Sequence, residues 1–161
     1  MKLSENIQQF DKTFGEKIEC FIKEVDHEFV PLLSSRVNIS EWSKKLNALA
    51  VNIGSVNSYG EIEAMISFYC NQNSESYISF IAVSKSQRGK KIAQTLLDDC
   101  IQFCIDLQST SLKVETWSSN KAVINLYQSR AFIENEIRDD RPNEKSIVFQ
   151  KIFLERKGKE Q

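Results

Sequence analysis

The stretch from Val83 to Ala93, VSKSQRGKKIA, constrains this chain more than any other: a β-branched strand breaks at an Arg-Gly turn and an amphipathic helix opens directly behind it. A strand that feeds a helix through so short a turn lays that helix on a sheet, which points to an α/β layer fold. The same geometry makes an anion site. At a helix start the first backbone N–H groups lack intrahelical partners and the macrodipole is positive, so phosphate can be held there without a dedicated charged pocket. Arg88, Lys90 and Lys91 add formal charge at that place. A glycine-containing turn of this kind also occurs as a plain connection, so a second segment has to decide between the two.

With 161 residues, 41% of them hydrophobic, the chain suits one compact domain with a continuous core. Lys plus Arg (21) nearly balance Asp plus Glu (22), and a formal charge of −1 gives no global field toward nucleic acid or an anionic membrane. Anion recognition is therefore local. No apolar run approaches the ~18 residues of a membrane span, and MKLSENIQQFDK at the start lacks a secretory core, which predicts a soluble, cytoplasmic protein. Cys20, Cys70, Cys100 and Cys104 include no C-x-x-C pair, and His27 is the sole histidine, so no metal site is expected. Cys100 and Cys104 share a stripe with Leu96, Leu97, Ile101 and Leu107, and are expected as small apolar core residues in a reducing compartment.

Ile7, Phe10, Phe14, Ile18, Phe21, Ile22 and Val25 recur at spacings of three and four, which predicts a helix over roughly the first 25 residues. A shorter helix is expected over Ser40 to Leu46. Ala48 to Val56 and Ile62 to Cys70 read as an antiparallel hairpin about the turn SYGE, and YISFIAV as the strand that enters the turn at Arg88. Ile92 to Leu107 carries a broad apolar stripe of helical period. SLKVETW follows as a strand and NKAVINLYQSR as a short helix capped by Ser119 or Asn120. Phe132 to Ile137 and Ser146 to Leu154 are expected as closing strands separated by the polar loop RDDRPNEK. No linker divides the chain, so residues 1–154 are expected as a single domain and the charged tail 155–161 as frayed.

This order, with the turn at Arg88, resembles the GCN5-related N-acetyltransferase (GNAT) family. Its acetyl-CoA motif, Q/R-x-x-G-x-G/A, falls on Arg88, Gly89, Lys90, Lys91, Ile92 and Ala93, with Lys91 standing where the family has its middle glycine. Lysine is expected to adopt helical φ/ψ there. A second segment, V-E-T-W-S-S-N, then K-A-V-I-N-L-Y, then R-A-F, is similar to the family's L-E-V-x-x-x-N, A-I-x-L-Y and G-F, with Val123 for the alanine and Ala131 for the glycine. The two motifs span Met65 to Phe132. The resemblance implies the GNAT acyl-CoA N-acyltransferase fold, a mixed, mostly antiparallel sheet flanked by helices, with acetyl-CoA as cosubstrate. It also implies an amine acceptor, either a small molecule such as an amino sugar or amino-acid derivative, or a peptide or protein N-terminus. A homodimer stays open, as does a second function class: an acyl-CoA-binding module without turnover, for which Lys91 is the hint.

Amine attack on a thioester needs a base for the ammonium proton, donors for the oxyanion and an acid for the leaving thiolate. A phenol, with pKa ~10, lies close enough to a thiol at ~8.5 to hand over a proton, and the resemblance gives that role to Tyr127; a core tyrosine is the plain alternative. Glu115 is the base candidate by resemblance to the ribosomal-protein alanine acetyltransferases. It shares a strand face with Trp117, an apolar wall of the kind that makes a carboxylate a better base. An exposed strand glutamate, Glu61, Glu63 and proton removal through water all compete. The resemblance further implies that the backbones of Ile81 and Val83 pair with pantetheine amides, because the family's fourth and fifth strands splay, and that Asn120 bonds the pantetheine or a water besides capping its helix. Asp26, His27, Glu28, Arg36 and the RDDRPNEK loop lie in the regions that line the family's acceptor side.

Overall fold

The computed structural model describes residues 1–141 and 144–153. Its elements are β1 (Gln8–Gln9), α1 (Gly15–Val25), α2 (Ile39–Leu49), β2 (Val51–Val56), β3 (Ile62–Tyr69), β4 (Glu75–Val83), α3 (Ile92–Asp106), β5 (Ser111–Trp117), α4 (Lys121–Ser129), β6 (Ile133–Arg141) and β7 (Glu144–Ile152). The strands form one sheet in the order β1-β2-β3-β4-β5-β7-β6. Pairing is antiparallel for β1–β2, β2–β3, β5–β7 and β6–β7 and parallel for β4–β5, so the mixed, mostly antiparallel α/β arrangement read from the sequence is the one observed. The chain divides into two compact units, Lys2–Tyr69 with Ser79–Cys100, and Cys70–Ile78 with the residues from Ile101 on, and both β4 and α3 contribute to each.

In the first unit α1 buries Ile18, Phe21, Ile22 and Val25, the face its three-and-four spacing predicts. They join Ile39 and Leu46 of α2, Ile62 and Met65 of β3, and Phe80 of β4 in one cluster. Phe80 is its aromatic centre: Phe21 and Trp42 meet it edge-on at 6.3 and 5.6 Å, and Phe29 stacks on it at 5.9 Å. The expected helix over the first 25 residues is corrected. Gln8 and Gln9 pair with Gly54 and Ile53, and a 3-10 turn over Lys12–Phe14 intervenes before α1. Asp11 opens that turn by accepting from the Thr13 N–H at 2.9 Å, which ends the extended run. Phe10 keeps its place in the apolar spacing by coming off β1, buried and stacked on Phe14 at 4.6 Å. Periodicity alone cannot separate the two routes to that stack.

Other boundaries move by smaller amounts. The Asn38 side chain accepts from the Glu41 N–H at 2.9 Å, so α2 starts at Ile39 and runs through Ala48 and Leu49, which the sequence reading gives to a strand. In the second unit Leu112 and Val114 of β5, Val148 and Phe149 of β7, Ile124 and Tyr127 of α4, and Phe132 make the buried set. The polar loop expected between the closing strands is mostly strand: β6 continues to Arg141 and β7 resumes at Glu144. An outermost strand has one edge in solvent and carries charge without cost, which erases the apolar alternation that would mark it. Pro142 and Asn143 of that run, Leu154 and the tail 155–161 lie outside the described residues. Cys100 and Cys104 are fully buried, and burial pushes the Cys70 thiol up, so these sulfurs behave as core groups.

The close approach of the β3 backbone at Ala64, with the Phe10 ring beside it, demands glycine at position 54. A Cβ there would stand 2.0 Å from the Ala64 carbonyl oxygen and 2.9 Å from Phe10 Cζ, neither of which is the end of a flexible side chain. Gly54→Ala is expected to cost about 1–3 kcal/mol in urea unfolding; a loss under about 0.5 kcal/mol would show that β3 and Phe10 do not close on position 54 in this way.

Candidate active site

The turn between β4 and α3 is built by backbone conformation. The Ser84 N–H donates to the Glu63 carbonyl at 2.7 Å, and a 3-10 turn over Lys85–Gln87 follows, closed by Gln87 N–H to Ser84 O at 2.9 Å. Gly89 has φ +81° and Lys91 φ +60°. The helical φ/ψ expected of Lys91 is thus corrected: it occupies the left-handed region, which glycine enters at no cost and an L side chain enters with strain. A Cβ at Gly89 would meet nothing within 4 Å, so the glycine there answers to φ and not to crowding. The first described bond of α3 is Thr95 N–H to Lys91 O at 3.2 Å. The N–H groups of Ile92, Ala93 and Gln94 precede it and are the donors that a helix start presents. Left-handed residues in such a turn gather successive N–H groups into a concavity suited to an anion.

The cations of the turn are not equivalent. Arg88 donates from Nε to the Val83 carbonyl at 3.3 Å and forms an ion pair with Glu28, the last residue of the 3-10 turn Asp26–Glu28 behind α1. Lys90 Nζ bonds Gln87 Oε1 at 3.1 Å. Asp26 accepts from the Ser34 N–H at 2.8 Å, and its bonds to Ser34 hold its carboxyl below the ordinary value, so this acid braces its own loop.

On β4 the direction of the backbone groups follows from Ser84. Its N–H turns toward β3, so by alternation Ala82 and Phe80 turn the same way, and Ile81 and Val83 present N–H and C=O on the opposite side. The parallel ladder with β5 covers Glu75–Ile78 against Ser111–Val114, and Ile81 and Val83 lie beyond it. The Val83 carbonyl accepts from Arg88 Nε.

In the second unit Tyr127 is 1% exposed, with its ring 5.5 Å from Phe132 and 6.2 Å from Phe149. The end of α4 fixes it. Phe132 N–H reaches Tyr127 O at 3.1 Å and Ala131 N–H reaches Gln128 O at 3.0 Å, the two bonds of a Schellman ending, and the Tyr127–Phe132 packing is the apolar contact that accompanies it. Ala131 takes the left-handed position, φ +64°. At the other end of α4 the capping expectation is corrected: Asn120 occupies the N-cap position and makes no side-chain cap bond, while the Ser119 N–H and hydroxyl go to Glu144. Glu115 is exposed. Its Oε1 accepts from Arg138 and from the Ser146 hydroxyl, each at 3.1 Å, and Arg138 also holds Glu136 at 2.9 Å. These two carboxylates raise the Arg138 pKa, Glu136 foremost. Neither the Arg138 nor the Arg88 partnership has a sequence signal, because each joins residues far apart in the chain.

The family model described as acetyltransferase (GNAT) family matches residues 12–132. Among solved structures, the ribosomal-protein-S18-alanine N-acetyltransferase of Escherichia coli superposes with TM-score 0.77 at 20% identity, over 94% of this chain and 96% of that one. The NatC complex bound to Gag peptide and CoA gives 0.75 at 19% identity, over 92% and 98%. The ribosomal-protein-alanine N-acetyltransferase of Brucella melitensis gives 0.71 at 17%, over 91% and 99%. No individually curated protein matches the chain.

A left-handed lysine makes a direct prediction. Lys91→Gly is expected to stabilise the protein by about 0.5–1 kcal/mol in urea unfolding, whereas Lys91→Ala, which removes the charge and keeps a Cβ, is expected to give no such gain. Equal gains from both would place the strain in the side chain's charge instead of in φ.

Proposed function

The chain belongs to the acetyltransferase (GNAT) family, a family of acetyl-CoA-dependent N-acetyltransferases, and from that premise we propose that it moves the acetyl group directly to a primary amine. Acetyl-CoA supplies the acetyl group as a thioester, a carbonyl already activated toward amines. The observation that carries the reading is the turn at residues 84–91: its left-handed φ values and the helix-start N–H groups of Ile92, Ala93 and Gln94 suit a diphosphate. In this role Gly89, Lys91, Ile92 and Ala93 act through backbone, and Arg88 and Lys90 add charge. Ile81 and Val83 offer β4 edge groups for the pantetheine amides, as an added strand would use them. Asn120, whose side chain makes no cap bond, is assigned a hydrogen bond to pantetheine or to a water.

Tyr127 is assigned as the acid that returns a proton to the departing thiolate. Support comes from its rigidity: the Schellman ending and the packing on Phe132 and Phe149 leave the ring little rotameric freedom, which is what a proton donor needs. Glu115 is assigned as the base. The pair with Arg138 and the bond from Ser146 orient its carboxylate, and exposure lets a proton pass on to water. The acceptor is proposed only as a primary amine, in a small molecule or at a peptide N-terminus. The relatives named for ribosomal-protein alanine share the fold at an identity that carries no substrate. A module without turnover is the lesser reading. It leaned on Lys91, and a left-handed Lys91 keeps the backbone course that glycine would give.

Release of CoA thiol from acetyl-CoA in the presence of pooled amines tests the activity, and CoA binding without release across amino sugars, polyamines, amino acids and peptides would favour the module. Tyr127→Phe is expected to lower kcat by about 100-fold, the scale of a lost general acid, with CoA affinity unchanged; equal turnover would remove the tyrosine from the chemistry. Glu115→Gln is expected to lower kcat by about 100-fold, the scale of a lost general base, with CoA affinity unchanged, and unaltered turnover would pass the base role to another group or to water.

A further inference from the structure

We propose that Glu28 is a positioning residue that holds Arg88 until a diphosphate claims it, so that donor binding exchanges a carboxylate partner for a phosphate one. The inference rests on the turn at residues 84–91 being the donor's diphosphate site, and it concerns what that site must give up to be filled. Arg88 stands at the root of the turn, one residue before left-handed Gly89. Its guanidinium spends one donor on the Val83 carbonyl and another on Glu28. Five donors in a planar fork match phosphate as well as carboxylate, so the same group suits either partner.

The Glu28 carboxylate is the more enclosed member of the pair, with a side chain 20% exposed against 50% for Arg88. It lies behind α1, in a segment fastened independently by Asp26 to Ser34 and by Phe29 on Phe80. The arginine can therefore swing while the glutamate stays. A diphosphate cradled by the N–H groups of Ile92, Ala93 and Gln94 brings negative charge to the turn, repels Glu28 and competes for its cation. Glu28 thereby sets a threshold: ligands with the diphosphate overcome it, and the pantetheine arm alone does not engage it.

Calorimetry on Glu28→Gln, Arg88→Gln and the double variant, with CoA and with pantetheine as probes, tests this. Glu28→Gln is expected to tighten CoA about two- to fivefold, the scale of a half-exposed ion pair, with the gain shrinking at high salt and pantetheine unchanged. Arg88→Gln is expected to weaken CoA and to abolish the effect of the second substitution. CoA affinity equal or lower in folded Glu28→Gln, with Arg88→Gln still selectively weakening CoA, would overturn the exchange while leaving the turn in place. CoA affinity untouched by Arg88→Gln would overturn the exchange as well, whereas no binding of CoA to the unaltered protein would overturn the turn as the diphosphate site.

Discussion

Backbone handedness is the constraint on which the rest of this structure depends. Among the left-handed positions of the described chain, Gly89, Lys91 and Ala131 stand at the ends of α3 and α4 with φ between +60° and +81°, and the last two carry side chains that make this conformation costly. At Gly89 and Lys91 the chain leaves β4 and enters α3 with its first N–H groups gathered; at Ala131 it leaves α4 in a Schellman ending that sets Tyr127 against Phe132. Lys91 and Ala131 stand where the motifs of the resembled family have glycine, and both take left-handed φ.

The packing of the first unit serves that path. Phe80 faces into the aromatic cluster of Phe21, Phe29 and Trp42, and with alternate residues of β4 so committed inward, Ile81 and Val83 are left to turn their backbone groups the other way. One strand thus does two things with its two edges and faces. It anchors the core, and it presents hydrogen-bonding groups next to the turn that Arg88 roots.

Much of this is legible in the sequence, and the exceptions have physical reasons. The stripe of α3, the strand SLKVETW and the turn at Arg-Gly are plain because buried faces must repeat at the period of their element and a sharp turn needs glycine. The first ten residues mislead because Phe10 reaches the core from β1 while keeping a helical interval to Phe14. The charged part of β6 is hidden because an edge strand needs no apolar alternation. The conformation of Lys91 leaves no trace in its residue type, and its family position is the one clue to it. Glu28 meets Arg88 across 60 residues of chain, and Arg138 meets Glu115 across 23, so no local pattern announces either pair. Asn120 is the N-cap of α4 by type and position, yet its side chain makes no cap bond, and the Ser119 N–H beside it goes to Glu144.

The central claim is that main-chain amides of this turn hold the donor's diphosphate. Backbone amide resonances, followed by two-dimensional NMR during titration with CoA and separately with pantetheine, test it most directly. CoA is expected to shift Gly89, Ile92, Ala93 and Gln94 strongly, and pantetheine to leave them in place while moving Ile81 and Val83. Saturating CoA that leaves those four amides unmoved would contradict the account.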